Sequence, residues 1–419
     1  MNYRNLIACF SIILLFGFTL QAQTASDSLP MSDELSDIFS QYEFLNASEN
    51  NILQPESLRN YFSKLQKLEM KQEGQVHALH IGDSHIQADF FSGKVRDLYA
   101  EDIRFPMNAR GFAFPYKIAK TNNPHNYGVS YTGSWEGKRC VKGNLSSRWG
   151  LAGVTACTFS ANSTFIINPN KKPNQQYKIQ RIKVFYPTFD ERSFEATVDL
   201  EDGNSLTSTI MGDGYVEFNL LKAQDNITIA LKKTNEKQNQ FVLQGISMEN
   251  DESGLIYSAS GVNGAEVPSY FRCEDFKKNL AHLNPQLIVV SLGTNDAFRT
   301  NFVASRFKAD FVKLIADIRS VNPNISILLT SVGDSYRKRK YVNRDNAEAN
   351  KVIREIGIEQ KVAVWDFYQV MGGFKSMDNW KANGLSSVDK LHLSQKGYEL
   401  QGELLYRALD RAYSEFGGN

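Results

Sequence analysis

Four short apolar runs separated by helical patterns restrict this chain to very few folds. Val76–Ile81, Leu287–Leu292, Ile325–Thr330 and Val362–Phe367 are each of strand length, and Leu287–Leu292 is nearly unbroken in apolar residues. Strands read this way when both faces of their sheet are covered. Around them apolar residues recur at helical spacing: Leu58, Tyr61, Phe62, Leu65 and Leu68; then Phe91, Val95, Leu98 and Tyr99; then Phe307, Phe311, Leu314, Ile315 and Ile318. Residues 342–360 make a polar-faced helical pattern, and Ser394 is placed to cap a last helix carrying Tyr398, Leu404, Leu405, Ala408, Leu409 and Ala412. Such strand–helix alternation predicts a parallel sheet layered between helices, an α/β fold.

The middle of the chain breaks the pattern. From about 125 to 250, apolar residues fall at every second position, as in Ile182, Val184, Tyr186; Val216, Phe218, Leu220; and Ile227, Ile229, Leu231. Turn signals at Asp202-Gly203-Asn204 and Gly212-Asp213-Gly214 separate the runs. About seven short strands without helices predict an all-β sandwich. The expected organisation is an α/β domain in two parts, 51–120 and 251–419, interrupted by an inserted β-sandwich over 121–250.

The N-terminus has another character. Arg4 precedes an apolar run from Leu6 to Leu20, followed by Gln21-Ala22-Gln23 and a polar stretch, the order of a secretory signal cleaved after Ala22. The run is shorter than the ~20 residues that span a bilayer comfortably. Residues 1–22 are therefore expected to be removed and 23–50 to form a flexible leader. The mature chain is expected to be periplasmic or extracellular, with no integral membrane segment. Cys140, Cys157 and Cys273 then remain, and a Cys140–Cys157 bridge and unpaired core thiols are both open. With 47 basic against 46 acidic residues, a formal charge of +1, the chain lacks a footprint for nucleic acid. Arg337-Lys338-Arg339-Lys340 reads as a solvated turn.

Chemistry concentrates in four turns. His80-Ile81-Gly82-Asp83-Ser84-His85 places a serine just past a buried strand and ahead of a helix, at the carboxyl edge where open α/β sheets bind ligands. A helix N-terminus also favours negative charge beside it. A serine hydroxyl needs a base to become a nucleophile. Of the six histidines, His77 and His80 lie within a strand and read as structural, while His125 and His282 have no carboxylate arranged nearby. His85 follows the serine on a turn that should direct its ring elsewhere. His392 remains, in Asp389-Lys390-Leu391-His392, where the carboxylate three residues earlier can reach back to fix the ring. Ser291-Leu292-Gly293-Thr294-Asn295-Asp296 opens on the same sheet edge, and Asn295 offers an amide toward an oxyanion. Ser260-Gly261-Val262-Asn263-Gly264-Ala265 is a glycine-rich turn able to donate a backbone N–H.

In this order the four turns resemble the four blocks of the SGNH (GDSL-like) hydrolases, over about 70–120 and 250–419. The resemblance implies a three-layer α/β/α hydrolase domain with Ser84 as nucleophile, His392 as base and Asp389 as its orienting acid. Its oxyanion donors would be the Ser84 N–H, the Gly264 N–H and the Asn295 side chain, with Gly261 an alternative to Gly264. No metal or organic cofactor is implied. Two departures narrow the likeness: His85 stands where the family name expects leucine, and residue 264 lies 180 positions after residue 84. Both are similar to the peptidoglycan O-acetylesterase branch, in which a carbohydrate-binding β-sandwich follows the first block. That branch implies an exported serine esterase removing O-acetyl groups from a cell-envelope glycan. An acyltransferase, an esterase of another polysaccharide and a retired glycan-binding protein are the alternatives. Trp135, Trp149 and Tyr186 are candidates for stacking on sugar faces, although filling of the sandwich core is the favoured role for these rings. Oligomeric state is not legible.

Overall fold

The computed structural model describes residues 33–107, 109–143, 147–171, 176–200 and 206–417. The signal segment 1–22, residues 23–32 of the leader and the Asp202-Gly203-Asn204 turn lie outside the described residues.

One six-stranded sheet organises the α/β part. Its strands are β1 (Ile52–Leu53), β2 (Gln75–Gly82), β3 (Gly254–Gly261), β4 (Leu287–Ser291), β5 (Ser326–Thr330) and β6 (Ala363–Trp365). They lie in the order β1-β6-β5-β4-β2-β3, all parallel except the short edge pair of β1 with β6. Successive residues face opposite layers. Val289, Leu328 and Ala363 pack with the Arg59–Lys71, Phe91–Glu101 and Gln395–Gly417 helices. Val290, Leu329 and Val364 pack with the Ala304–Val321 and Asp345–Gln360 helices on the other face. Both faces are covered, so these strands need apolar residues at every position. The result is the expected three-layer α/β/α arrangement. The last helix starts where predicted, with Ser394 Oγ accepting from the Gly397 N–H at 3.1 Å.

The strand order places a crevice. From β2 the chain goes outward to β3, then returns to the other side of β2 to lay down β4, β5 and β6. The connections leaving β2 and β4 therefore diverge, and ligands of open α/β sheets bind at such a switch point, beyond the carboxyl ends of the strands. Gly82 pairs with Gly261 on one side and Ser291 on the other, so three of the four chemistry-bearing turns begin in one row.

The inserted unit is built from three antiparallel sheets of five, four and three strands among the described residues, more than the seven or so strands expected. It starts at Gly111–Ala113, which pairs with Gly245–Glu249, about ten residues before the expected boundary. The period-two residues point inward as predicted, with Val216, Phe218, Leu220, Ile227, Ile229 and Leu231 all buried. Its core runs into the core beneath one face of the large sheet, so insert and α/β part share one apolar interior.

One expectation is corrected, and of the two roles open to the insert's aromatic rings the favoured one holds. Residues 33–50 are not a loose leader: Asp33–Gln41 is helical, and Leu35, Tyr42 and Leu45 are buried against the helical layer. Apolar residues spaced within a polar segment were enough to dock it. Trp135 and Trp149 are only 2% and 4% exposed and Tyr186 is likewise buried, so none offers a face to sugar. Their rings fill the insert's interior, with Trp135 edge-on to Phe165 and Tyr186 against Phe241. All three described cysteines are free and buried. Cys273 makes its thiol contact with Cys140 rather than leaving Cys140 to Cys157, and that contact together with burial pushes the Cys273 thiol up.

Candidate active site

Gly82 closes β2 because nothing larger fits. A Cβ there would come within 2.4 Å of the Ile86 side chain and 2.6 Å of the Ser291 carbonyl. The chain turns at once into the short helix Ser84–Gln87, capped by Asp83, whose Oδ1 accepts from the His85 N–H at 2.9 Å. Ser84 is thereby the first helical residue, beside the positive end of the peptide dipoles.

His392 arrives from the far end of the chain. The Lys390 carbonyl accepts from the Tyr336 N–H at 2.8 Å, which ties its loop to the segment beyond β5. Lys390 itself is left-handed (φ 52°), and this tight bend folds Asp389 back onto the imidazole. Ser84 Oγ lies 3.0 Å from His392 Nε2, and His392 Nδ1 lies 2.8 Å from Asp389 Oδ2. The other carboxylate oxygen accepts from the N–H groups of Leu391 and His392, both at 2.9 Å, and from the Ser387 hydroxyl. Burial alone would raise the Asp389 carboxyl, but these hydrogen bonds hold it well below the usual carboxylate range. An ionised Asp389 fixes a proton on Nδ1 and leaves Nε2 to accept one from the serine. The His392 and Asp389 side chains are 37% and 41% exposed, so water reaches the pair.

The glycine turn after β3 resolves the alternative between two glycines. The Gly261 N–H donates to the Tyr116 hydroxyl at 3.1 Å, and a Cβ on Gly261 would meet the Asp83 carbonyl at 2.3 Å. The Gly261 N–H is thus already engaged, and the residue serves close packing rather than an oxyanion. The N–H groups of Val262, Asn263 and Ala265 are likewise spent, on the Gly82 carbonyl, Gln87 Oε1 and the Val262 carbonyl. Gly264 (φ +80°) has no such partner among the described residues and no atom within 4 Å of its would-be Cβ.

Asn295 sits at the switch point, but not with a free donor. Its Nδ2 donates to Asp83 Oδ2 at 3.0 Å and to the Ala265 carbonyl at 2.9 Å, so both amide hydrogens are engaged. Facing an oxyanion requires it to release one of them. Burial pushes the Asp83 carboxyl up to about 7, so near neutral pH it is protonated part of the time, and in that form it is a poorer acceptor than a carboxylate.

One residue escaped the sequence reading. The His85 ring does not point away: it stacks on His392, with ring centroids 5.2 Å apart and planes inclined by 29°. Its Nδ1 bonds the Tyr398 hydroxyl at 2.8 Å. Burial first, then the neighbouring His392, pushes its pKa down to about 3, so it is a neutral wall behind the base. The other histidines are structural or peripheral. His80 bonds the Tyr257 and Ser291 hydroxyls, His77 bonds Ser258, His282 bonds the Asp213 carbonyl, and His125 stacks on Phe90. No group of three or more His, Cys, Asp or Glu among the described residues is arranged to hold a metal ion, and no described helix is long and apolar enough to cross a membrane.

Residues 228–400 match the model of the GDSL-like lipase/acylhydrolase family, a stretch that holds Asn295, Asp389 and His392 and leaves Ser84 outside. A solved peptidoglycan O-acetylesterase is similar over 85% of this chain and 96% of its own, with a TM-score of 0.70 and 23% identity. That overlap is longer than the α/β layers alone, so the inserted β unit belongs to the shared fold. A GDSL-like lipase from Bacteroides thetaiotaomicron VPI-5482 matches 38% of this chain and 76% of its own, at 17% identity and a TM-score of 0.30. An acetylxylan esterase from Geobacillus stearothermophilus matches 38% and 73%, at 16% identity and a TM-score of 0.30. No curated protein matches in sequence. The chain thus shares the fold of a solved peptidoglycan O-acetylesterase, and its residues 228–400 are similar to the GDSL-like lipase/acylhydrolase family.

Proposed function

We propose that this esterase is exported and removes O-acetyl groups from a cell-envelope glycan, with peptidoglycan as the leading substrate, through an acyl-enzyme on Ser84. The observation that carries the catalytic assignment is the unbroken chain from Ser84 Oγ to His392 Nε2 and from His392 Nδ1 to Asp389. In the first step Ser84 Oγ bonds to the acetyl carbon while its proton passes to His392 Nε2. The oxyanion is held by the Ser84 and Gly264 N–H groups and by Asn295 once its bond to Asp83 is given up. His392 then protonates the sugar oxygen as the C–O bond breaks, leaving an acetyl group on Ser84. Water repeats the sequence, returning acetate and the free serine.

The solvent exposure of His392 and Asp389 favours water as the second acceptor over a transferred sugar. Substrate class and export rest on the likeness to the peptidoglycan O-acetylesterase and on the N-terminal signal pattern. Incubation with O-acetylated peptidoglycan and with acetylated plant polysaccharide, measuring free and transferred acetyl, tests the reading. Free acetate released preferentially from peptidoglycan supports it. Preference for the plant polymer, or acetyl recovered on another sugar, overturns the substrate or the hydrolytic reading respectively. For export, the mature N-terminus of protein recovered from outside the cytoplasm should begin at Gln23; an intact Met1 in the cytoplasm contradicts it.

A further inference from the structure

A short hairpin follows β5, with Tyr336–Arg337 paired against Tyr341–Val342, and it is anchored to the turns that carry Asn295 and His392. On one side Arg337 Nη2 donates to the Ala297 and Arg299 carbonyls at 2.8 and 2.7 Å, and Asn343 Nδ2 to the Ala297 carbonyl at 3.0 Å. These bonds tie the hairpin to the Thr294–Phe298 helix. On the other side the Tyr336 N–H bonds the carbonyl of Lys390, two residues before His392, and the Lys390 ammonium lies 4.4 Å from the centre of the Tyr336 ring. The tip between the anchors is Lys338-Arg339-Lys340, all exposed.

Local folding preference does not account for these residues. The Lys340 N–H bonds the Arg337 carbonyl at 3.2 Å, and Lys338 and Arg339 both have positive φ, 52° and 61°. Such turns favour Asn-Gly, which tolerates a left-handed backbone. Two long cationic side chains here oppose that preference and repel each other.

Their charge is also unmatched. Lys338, Arg339 and Lys340 make no ion pair within 4 Å among the described residues, nor do the exposed Arg344 and Lys375, each 5.8 Å from the centre of the Phe374 ring. Of the nearby acids, Asp345 is engaged by Arg337, Asp378 by Lys390 and the Tyr336 hydroxyl, and Asp334 is buried. Glu348, on the first turn of the Asp345–Gln360 helix, is the one carboxylate of residues 336–348 without an ion pair. Lysine and arginine are charged near neutral pH without help from their surroundings, so this positive surface is written in the sequence itself.

A positive surface attached to both catalytic turns calls for an anion. An anionic bilayer drawn onto the hairpin would cover the opening between those turns. The exposed rings nearby are also already faced by cations, Tyr341 by Lys340 and Phe374 by Arg344 and Lys375. A polymer strand, by contrast, can lie along the hairpin and still present an acetyl group to Ser84.

We infer that the Lys338-Arg339-Lys340 hairpin is the docking surface for an anionic glycan strand, gathering its carboxylates while the acetylated sugar reaches Ser84. The inference rests on the esterase reading and adds the kind of polymer the enzyme prefers.

The double variant Lys338→Asn/Arg339→Gly separates docking from folding, because it removes two charges and installs the residues that the turn favours. Its Tm should equal or exceed that of wild type. At ~0.05 M salt, kcat/KM on O-acetylated peptidoglycan should fall ~10-fold, through KM, while 4-nitrophenyl acetate turnover stays within about twofold. Raising salt to ~0.5 M, or amidating the polymer's carboxyls by carbodiimide coupling, should bring the wild-type rate down toward the variant's and leave the variant nearly unchanged. Polymer kinetics within about twofold of wild type, or equal losses on polymer and small ester, overturn the docking role. So does a wild-type rate indifferent to salt and amidation. Co-sedimentation with phosphatidylglycerol vesicles that the variant loses, with polymer kinetics unchanged, assigns the surface to lipid instead. Should the wild type hydrolyse neither polymer nor 4-nitrophenyl acetate, the esterase reading fails, and retention on de-O-acetylated peptidoglycan judges the hairpin alone. Retention at low salt that the variant loses supports it; retention that the variant keeps, or none at all, overturns it.

Discussion

Replacing Asn295 by alanine removes an amide that the fold uses twice and the proposed chemistry needs once. In the folded protein its Nδ2 holds Asp83 Oδ2 at 3.0 Å and the Ala265 carbonyl at 2.9 Å. Such bonds contribute ~0.5–1.5 kcal/mol each, and depriving a buried carboxyl of one partner adds to the loss, for about 2–4 kcal/mol in all. The variant should therefore fold, with its Tm several degrees lower. Loss of an oxyanion donor costs ~10²–10³ in kcat, a further ~2.7–4 kcal/mol on the barrier. KM should change little, since the donor acts on charge that develops only in the transition state. Thermal unfolding reads the first effect. Steady-state hydrolysis of 4-nitrophenyl acetate, well below the Tm, reads the second. A variant with a lowered Tm but kcat within about fivefold of wild type would refute the reasoning, leaving Asn295 as scaffold and the backbone N–H groups as the whole oxyanion site.

Three further outcomes follow from the same geometry. His85→Ala should lower kcat by ~10-fold with KM nearly unchanged, because the ring that backs His392 is gone, and His85→Phe should recover part of it; equal activity in both variants and wild type contradicts a positioning role. Gly261→Ala should unfold or severely destabilise the protein, its Cβ meeting the Asp83 and Gln87 backbone at 2.3 and 2.4 Å, whereas Gly264→Ala should cost only the ~1 kcal/mol of a left-handed residue; comparable Tm losses would contradict this. Burial, then the nearby Glu266, pushes Asp296 up to about 7. Since that lies above the ~3.9 of an unfolded chain, its contribution to stability is fully present below about pH 4 and is lost as pH rises through 7. Asp296→Asn should therefore gain on wild type in denaturant stability from pH 4 to 8, and a difference constant across that range contradicts the assignment.

Much of this was legible in the residues, for identifiable reasons. A strand covered on both faces must be apolar throughout, which exposed β2, β4, β5 and β6 directly. β3 was harder to see because Ser258 and Ser260 interrupt it. Ser258 can be buried there only because its hydroxyl bonds His77 Nε2 and the Phe112 N–H, partners that no local pattern reveals. Asp389 and His392 were readable as a pair because they stand three residues apart, and Ser84 because it directly follows a buried strand. His85 was misread for the complementary reason. Treated as part of a turn, it should diverge from Ser84, but both lie on one helical turn whose direction is set by the Asp83 cap. The aromatic residues of the insert could not be sorted at all by type. Trp135 and Trp149 turned inward, while Phe159 and Phe189, 71% and 52% exposed, stayed at the surface. Asn295 was correctly placed, yet its engagement by Asp83 depends on how two separate loops meet at the switch point.

The central claim is that a hydroxyl, an imidazole and a carboxylate drawn from positions 84, 392 and 389 act as one nucleophilic unit. The most direct measurement is hydrolysis of 4-nitrophenyl acetate by Ser84→Ala, with its circular dichroism and Tm matched to wild type. The account predicts turnover reduced by ~10⁴-fold or more, to near the uncatalysed rate. Activity within tenfold of wild type in that folded variant would contradict it.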